Sequence, residues 1–221
     1  SFLNQYGCDS IHTLNLTITP GVKLAAKAIL DGPYDASLGL MNDSLRVNHL
    51  IPNGEPYTSS PYLKPAIGGP SGETVSNAIL NVTGNDAIVD WVYLELREAL
   101  NPSNIVASKR ALIQRDGDIV SNVDGSSPIL FETVYNGNYY VTVKHRNHLG
   151  IMSSNALNLQ GCSVTSIDFT NANPVYTMSS ISTTPRKQVG SLYTMWSADL
   201  NSNKNVKYNG LSNDKDKVLL A

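Results

Sequence analysis

The stretch Asp90-Trp91-Val92-Tyr93-Leu94-Glu95-Leu96-Arg97 alternates strictly between two faces. Val92, Leu94 and Leu96 share one face, and Trp91, Tyr93, Glu95 and Arg97 share the other. Period two belongs to a half-buried pleated strand; a helix would scatter the same apolar residues around its circumference. Further runs of this kind recur along the chain. Residues 105–114 form a second strand, and Asp116-Gly117-Asp118 turns into Ile119-Val120. Asp124-Gly125 marks another turn, 128–134 a short strand, and Asn136-Gly137 turns into 139–145. Residues 163–169 and 190–196 read as strands, as do 11–19, which end at Pro20-Gly21. Residues 22–30 are rich in Ala yet stop at Asp31-Gly32-Pro33, and a strand is expected there too. Strands about ten residues apart with turn signals between them predict an antiparallel β-sandwich. Residues 31–86 interrupt the ladder with many Pro, Gly, Asn and Ser, and a loop of that length is commonly functional.

Charge narrows the function classes. The 221 residues carry 16 Lys+Arg and 18 Asp+Glu, a net charge of -2. Bulk charge therefore excludes a basic nucleic-acid binder and an acidic disordered chain. Asn, Ser and Thr replace the missing charge, with Asn-Gly at 53–54, 136–137 and 209–210, as turn-rich chains require. Eleven Tyr against three Phe suit strands whose rings pack while their hydroxyls stay wet. No apolar stretch approaches the ~18 residues of a membrane helix. Cys8 and Cys162 lie outside any CxxC pattern, so a thiolate zinc cage is not expected. A disulfide between them and two separate thiols both remain open. No signal peptide is visible, and the chain reads as a segment cut from a longer secreted protein.

Three stretches taken together resemble a known module: Asp90–Arg97, Ala107–Val120 and Gly137–Gly150. It recurs near the C-termini of large secreted proteins of Bacteroidetes-type bacteria exported by the type IX secretion system. The tail Met195–Tyr208, followed by Asn213-Asp214-Lys215-Asp216, fits the same module and resembles a dockerin-type calcium loop. The head Tyr6–Thr17 resembles the closing strand of a repeat common in those proteins. The resemblance spans roughly residues 22–218. It implies an accessory role beside polysaccharide-degrading enzymes or adhesive repeats, at the cell surface or secreted. The Gly-x-Tyr-x-Val-x-Val run from Gly137 also resembles a late core strand of Ig-like and transthyretin-like sandwiches. The expected organisation is a closing strand or linker over 1–19, a sandwich over 20–178, and a C-terminal segment over 179–221 carrying the calcium loop and packed on the sandwich.

The tail holds the strongest chemical pattern. Asp199, Asn201 and Asn203 place oxygen side chains at alternate loop positions, as a hard cation such as Ca2+ needs, and Asn205 adds a carbonyl. Lys204 stands where an EF-hand has Gly, and Gly210 where it has a bidentate acid; Asp214 or Asp216 is expected to return instead. Trp91 and Tyr93, beside Glu95 and Arg97, form a candidate sugar-stacking platform, with Tyr57 and Tyr62 of the long loop as further platform residues. The competing reading buries the pair under the second layer or the long loop. His145-Arg146-Asn147-His148 reads as a turn rather than a metal site, because three-residue spacing on a strand or turn does not set both rings on one side. No GxSxG, HExxH or P-loop occurs, and no enzyme is expected. The leading expectation is a non-catalytic, calcium-stabilised module binding polysaccharide such as cellulose or xylan, with neighbouring domains of its own chain as partners. The alternatives are a structural or adhesive spacer and a glycoside hydrolase.

Overall fold

A computed structural model describes residues 2–3, 9–10, 21–177, 184–199, 206–207 and 209–214. The strand expected over 11–19 and Cys8 lie outside them. The N-terminal pair β1 (Phe2–Leu3) and β2 (Asp9–Ser10) is antiparallel. Then come β3 (Val22–Lys27), the small antiparallel pair β4 (Tyr34–Asp35) and β5 (Leu40–Met41), and the one-turn helices α1 (Ser44–Val47) and α2 (Asn77–Leu80). The long strands β6 (Ile88–Glu98) and β7 (Ile105–Gln114) follow, with β8 (Asp118–Val120) and β9 (Ile129–Phe131). Next are β10 (Gly137–His145), β11 (His148–Met152), β12 (Leu157–Leu159) and β13 (Val164–Asp168). A final hairpin pairs β14 (Arg186–Val189) with β15 (Leu192–Met195).

The fold is all-β. One sheet runs in the order β11-β10-β6-β7-β8-β3-β13, with β12 continuing along the β10 edge and β9 along the β3 edge. Every pair in this sheet is antiparallel except β3 with β13. The sheet curls until its ends meet: β12 lies against β13 and β3, and Thr165 Oγ1 donates to the Asn158 carbonyl at 3.2 Å. Inside sit Leu24, Val92, Leu94, Leu96, Ile113, Phe131, Val141 and Val143, all buried. These are the apolar halves of alternating strands, so the period-two pattern is what closes the sandwich. Gly117 makes the β7–β8 turn at φ 95°, and a Cβ there would stand 2.6 Å from the Ala28 carbonyl oxygen.

The outer face of β6 is covered as well. The loop over 51–75 lies across it, and a second apolar cluster joins Ile51, Tyr57 and Val75 to Ile88, Trp91, Tyr93 and Leu112. Loop backbone needs hydrogen-bond partners wherever it is buried. The sheet supplies them from side chains: Trp91 Nε1 donates to the Pro52 carbonyl at 2.9 Å and the Tyr93 hydroxyl to the Pro65 carbonyl at 2.7 Å. Ser108 Oγ also donates to Pro65 O, and the Arg110 guanidinium reaches Lys64 O. In return the Tyr57 hydroxyl donates to the Trp91 carbonyl at 3.0 Å. The hairpin β14–β15 docks on the other side, where the Met195 amide donates to Ile29 O at 2.7 Å and the Leu149 amide to Trp196 O at 2.8 Å.

Candidate functional site

The aromatic face is closed. Trp91, Tyr93 and Tyr57 are each 0% exposed, and Glu95 is buried with them. This corrects the expectation of a sugar-stacking platform there: the rings are the middle of a layer, with Tyr57 and Tyr93 centroids 5.6 Å apart. Burial raises the Tyr57 hydroxyl well above its ordinary pKa. Tyr62 is half-buried against the same cluster. Glu95 binds both Arg97, at 2.6 Å, and Lys144, whose ammonium burial holds below its usual pKa despite that carboxylate. Arg97 also donates to the Pro102 carbonyl at 2.7 Å. A carboxylate so enclosed is an internal brace for two cations and offers nothing to a ligand.

Of the expected calcium ligands, Asn201, Asn203, Asn205 and Asp216 lie outside the described residues. Asp199 and Asp214 are described, and both carboxylates are buried. Asp214 turns back toward the start of the loop: its Oδ2 accepts from the Lys207 amide at 2.8 Å, and its own amide donates to the Lys207 carbonyl. Cys162 is exposed.

A different site emerges where β6, the β10–β11 turn and the start of the long loop meet. A cleft of about 810 Å³ is lined by Tyr34, Asn42, Ser44, Asn147 and Ser197 over apolar Leu30 and Val89. No Lys or Arg is among the described residues that line it. Its inner wall holds Asp90, His145 and His148, all buried. Asp90 comes to the wall through a bulge. The β6–β7 register shifts between Ile88 and Asp90, so Val89 joins the inner core with Val92 while Ile88 joins Trp91 outside. Bulges re-aim side chains in this way.

The two imidazoles sit together, with ring centroids 4.8 Å apart at 75°. That overturns the expectation that the spacing keeps them apart: the tight β10–β11 turn folds His145 and His148 back onto each other as a pair. A directed hydrogen-bond chain runs through them. The Gly32 amide donates to His148 Nε2 at 3.3 Å. That nitrogen is therefore bare, and His148 carries its proton on Nδ1, 2.9 Å from His145 Nδ1 and 2.8 Å from Asn147 Oδ1. His145 is then left to donate through Nε2 to Asp90 Oδ2 at 3.1 Å. Arg146 reaches the same oxygen at 2.7 Å, and the Trp91 amide donates to Oδ1 at 2.8 Å.

This electrostatics favours an ionised Asp90 beside a neutral His148. Burial works to raise the Asp90 pKa, but the His145 hydrogen bond, the Arg146 charge and the Trp91 amide outweigh it and hold the pKa low. Burial, with the neighbouring His145, drives His148 well below the ordinary imidazole value. The chain does not suit a metal. An ion between the two Nδ1 atoms would displace their shared proton and force an N–H at Nε2 against the Gly32 N–H. It is not a ready base either, because Gly32 holds the terminal lone pair. Asp90 was missed in the sequence because it reads as an edge residue of the strand; the bulge that re-aims it leaves no compositional signal. Compared with known proteins, the chain matches no family, no curated protein and no solved structure.

Proposed function

We propose that this chain is a non-catalytic structural spacer of a secreted, multidomain surface protein, with calcium tying down its C-terminal tail. One observation carries the reading: Trp91, Tyr93 and Tyr57, the rings best placed to stack on sugar, serve as internal packing between sheet and loop. A module with both faces of its central strand covered resists shearing and holds its neighbours at a set distance. The sequence pattern Asp199-x-Asn201-x-Asn203 supports a cation in the tail, and its binding would add to folding stability. The partners in this reading are adjoining domains of the same chain. The test pairs two measurements. No retention on cellulose, xylan or chitin is expected, together with a melting temperature that falls on chelation. Retention on any of these polymers counts against it.

A second reading has its own support. The cleft offers amides, hydroxyls, the Asp35 carboxylate and one Tyr ring over an apolar floor, with no Lys or Arg among the described residues that line it, which suits a short glycan without negative charge. Asn147→Ala together with Tyr34→Ala would abolish binding there and leave the Trp91 layer intact.

A further inference from the structure

We propose that the His145–His148 pair is an acid-sensitive latch on the cleft wall: uptake of one proton leaves an N–H at His148 Nε2 and releases Gly32. The inference follows from the direction of the chain. At neutral pH His148 Nε2 accepts and His145 Nε2 donates, and one proton, on His148 Nδ1, lies between the two Nδ1 atoms, with the Asn147 amide also donating to His145 Nδ1 at 3.4 Å. An added proton has few places to go. On His148 Nε2 it faces the Gly32 N–H directly. On His145 it is welcomed by Asp90, but His145 must then donate through Nδ1 to His148 Nδ1, which moves the His148 proton to Nε2. Both routes set donor against donor at Gly32. The remaining placement sets two N–H groups against each other between the rings, 2.9 Å apart.

The surroundings decide what gives way. Asp90 from β6, itself bound by Arg146 of the turn, holds His145 in place. Across the cleft stand Tyr34 and Asp35, and Asp31 is braced by Lys187 of β14 at 2.9 Å and by the Ser197 hydroxyl. The Gly32 contact is a single 3.3 Å bond to a neutral ring, and an N–H at His148 Nε2 opposes it directly; the one longer contact on the pair, from the Asn147 amide to His145 Nδ1 at 3.4 Å, lies within the turn itself. Loss of the Gly32 bond frees the Gly32–Tyr34 wall while the hairpin stays anchored. The test reads no ligand, so the latch stands or falls separately from the spacer reading.

Amide hydrogen exchange at Gly32, corrected for intrinsic rates, is measured on the whole chain from pH 7.5 to 5.0. A released imidazole titrates near ~6.5, so one-proton linkage raises the opening constant about thirtyfold over that range. In His148→Gln, whose side-chain oxygen accepts from the same amide without titrating, the exchange stays within about twofold. A flat profile in the wild type overturns the latch, as does an equal rise in the variant. If the variant does not fold, imidazole ¹⁵N spectra of the wild type decide. His148 protonated on Nδ1 with Nε2 bare at pH 7.5 is required, and an Nε2–H tautomer overturns it.

Discussion

Tyr57→Ala tests whether the 51–75 loop is a true layer of the fold. The ring is fully buried, packs on Tyr93, and its hydroxyl holds the Trp91 carbonyl. Truncating a buried aromatic costs about 3–5 kcal/mol through lost transfer energy and the cavity left behind. Tyr57→Phe keeps the ring and removes only the hydrogen bond, exposing a cost of about 1–2 kcal/mol for a buried carbonyl left alone. The ratio of the two is therefore informative. In a chain of this size 1 kcal/mol moves Tm by roughly 2–4 °C, so Tyr57→Ala should lower Tm by about 6–20 °C and Tyr57→Phe by a few degrees. Equilibrium urea unfolding gives the free energies, and fluorescence quenching checks the geometry. Trp91 is buried while Trp196 is 38% exposed, so iodide should reach one tryptophan and spare the other. A loss below about 1 kcal/mol for Tyr57→Ala, or quenching of both tryptophans, would refute the layer.

Calcium at 10 mM, against a site of ~10⁻⁴–10⁻³ M, should stabilise the fold by about 1.5–3 kcal/mol in differential scanning calorimetry, and Asp199→Asn with Asp214→Asn should remove that gain. Arg186 is buried under Tyr193 and donates to the carbonyls of Phe169, Asn171 and Asn173. Arg186→Lys cannot reproduce that fork, and a loss of about 2–4 kcal/mol is expected by urea unfolding. Gly117→Ala forces a side chain into both left-handed backbone and the Ala28 carbonyl, and should cost at least about 2 kcal/mol in the same assay. Because the His148 pKa is lowered in the fold, the unfolded chain binds the extra proton. Stability should therefore fall as pH drops below about 6.5, and His148→Gln should flatten that limb.

Alternation alone placed the all-β fold and its inner core. Val92, Leu94 and Leu96 had to share a face because successive side chains on a strand point to opposite sides, and β7 matches the expected 105–114. Strands β11, β12 and β14 were not foreseen as such: they are short, and pairing with β10 or β15 rather than local pattern makes them strands. Whether the Trp91 face met water or protein was undetermined locally, since an amphipathic ring suits both. Only the return of the long loop decided it, with Pro52 and Pro65 carbonyls meeting the indole N–H and phenol O–H. The cleft is tertiary throughout. Asp90, Gly32 and the His145–His148 turn are far apart in the chain, and a hydrogen-bond chain depends on distances in space that residue order does not encode.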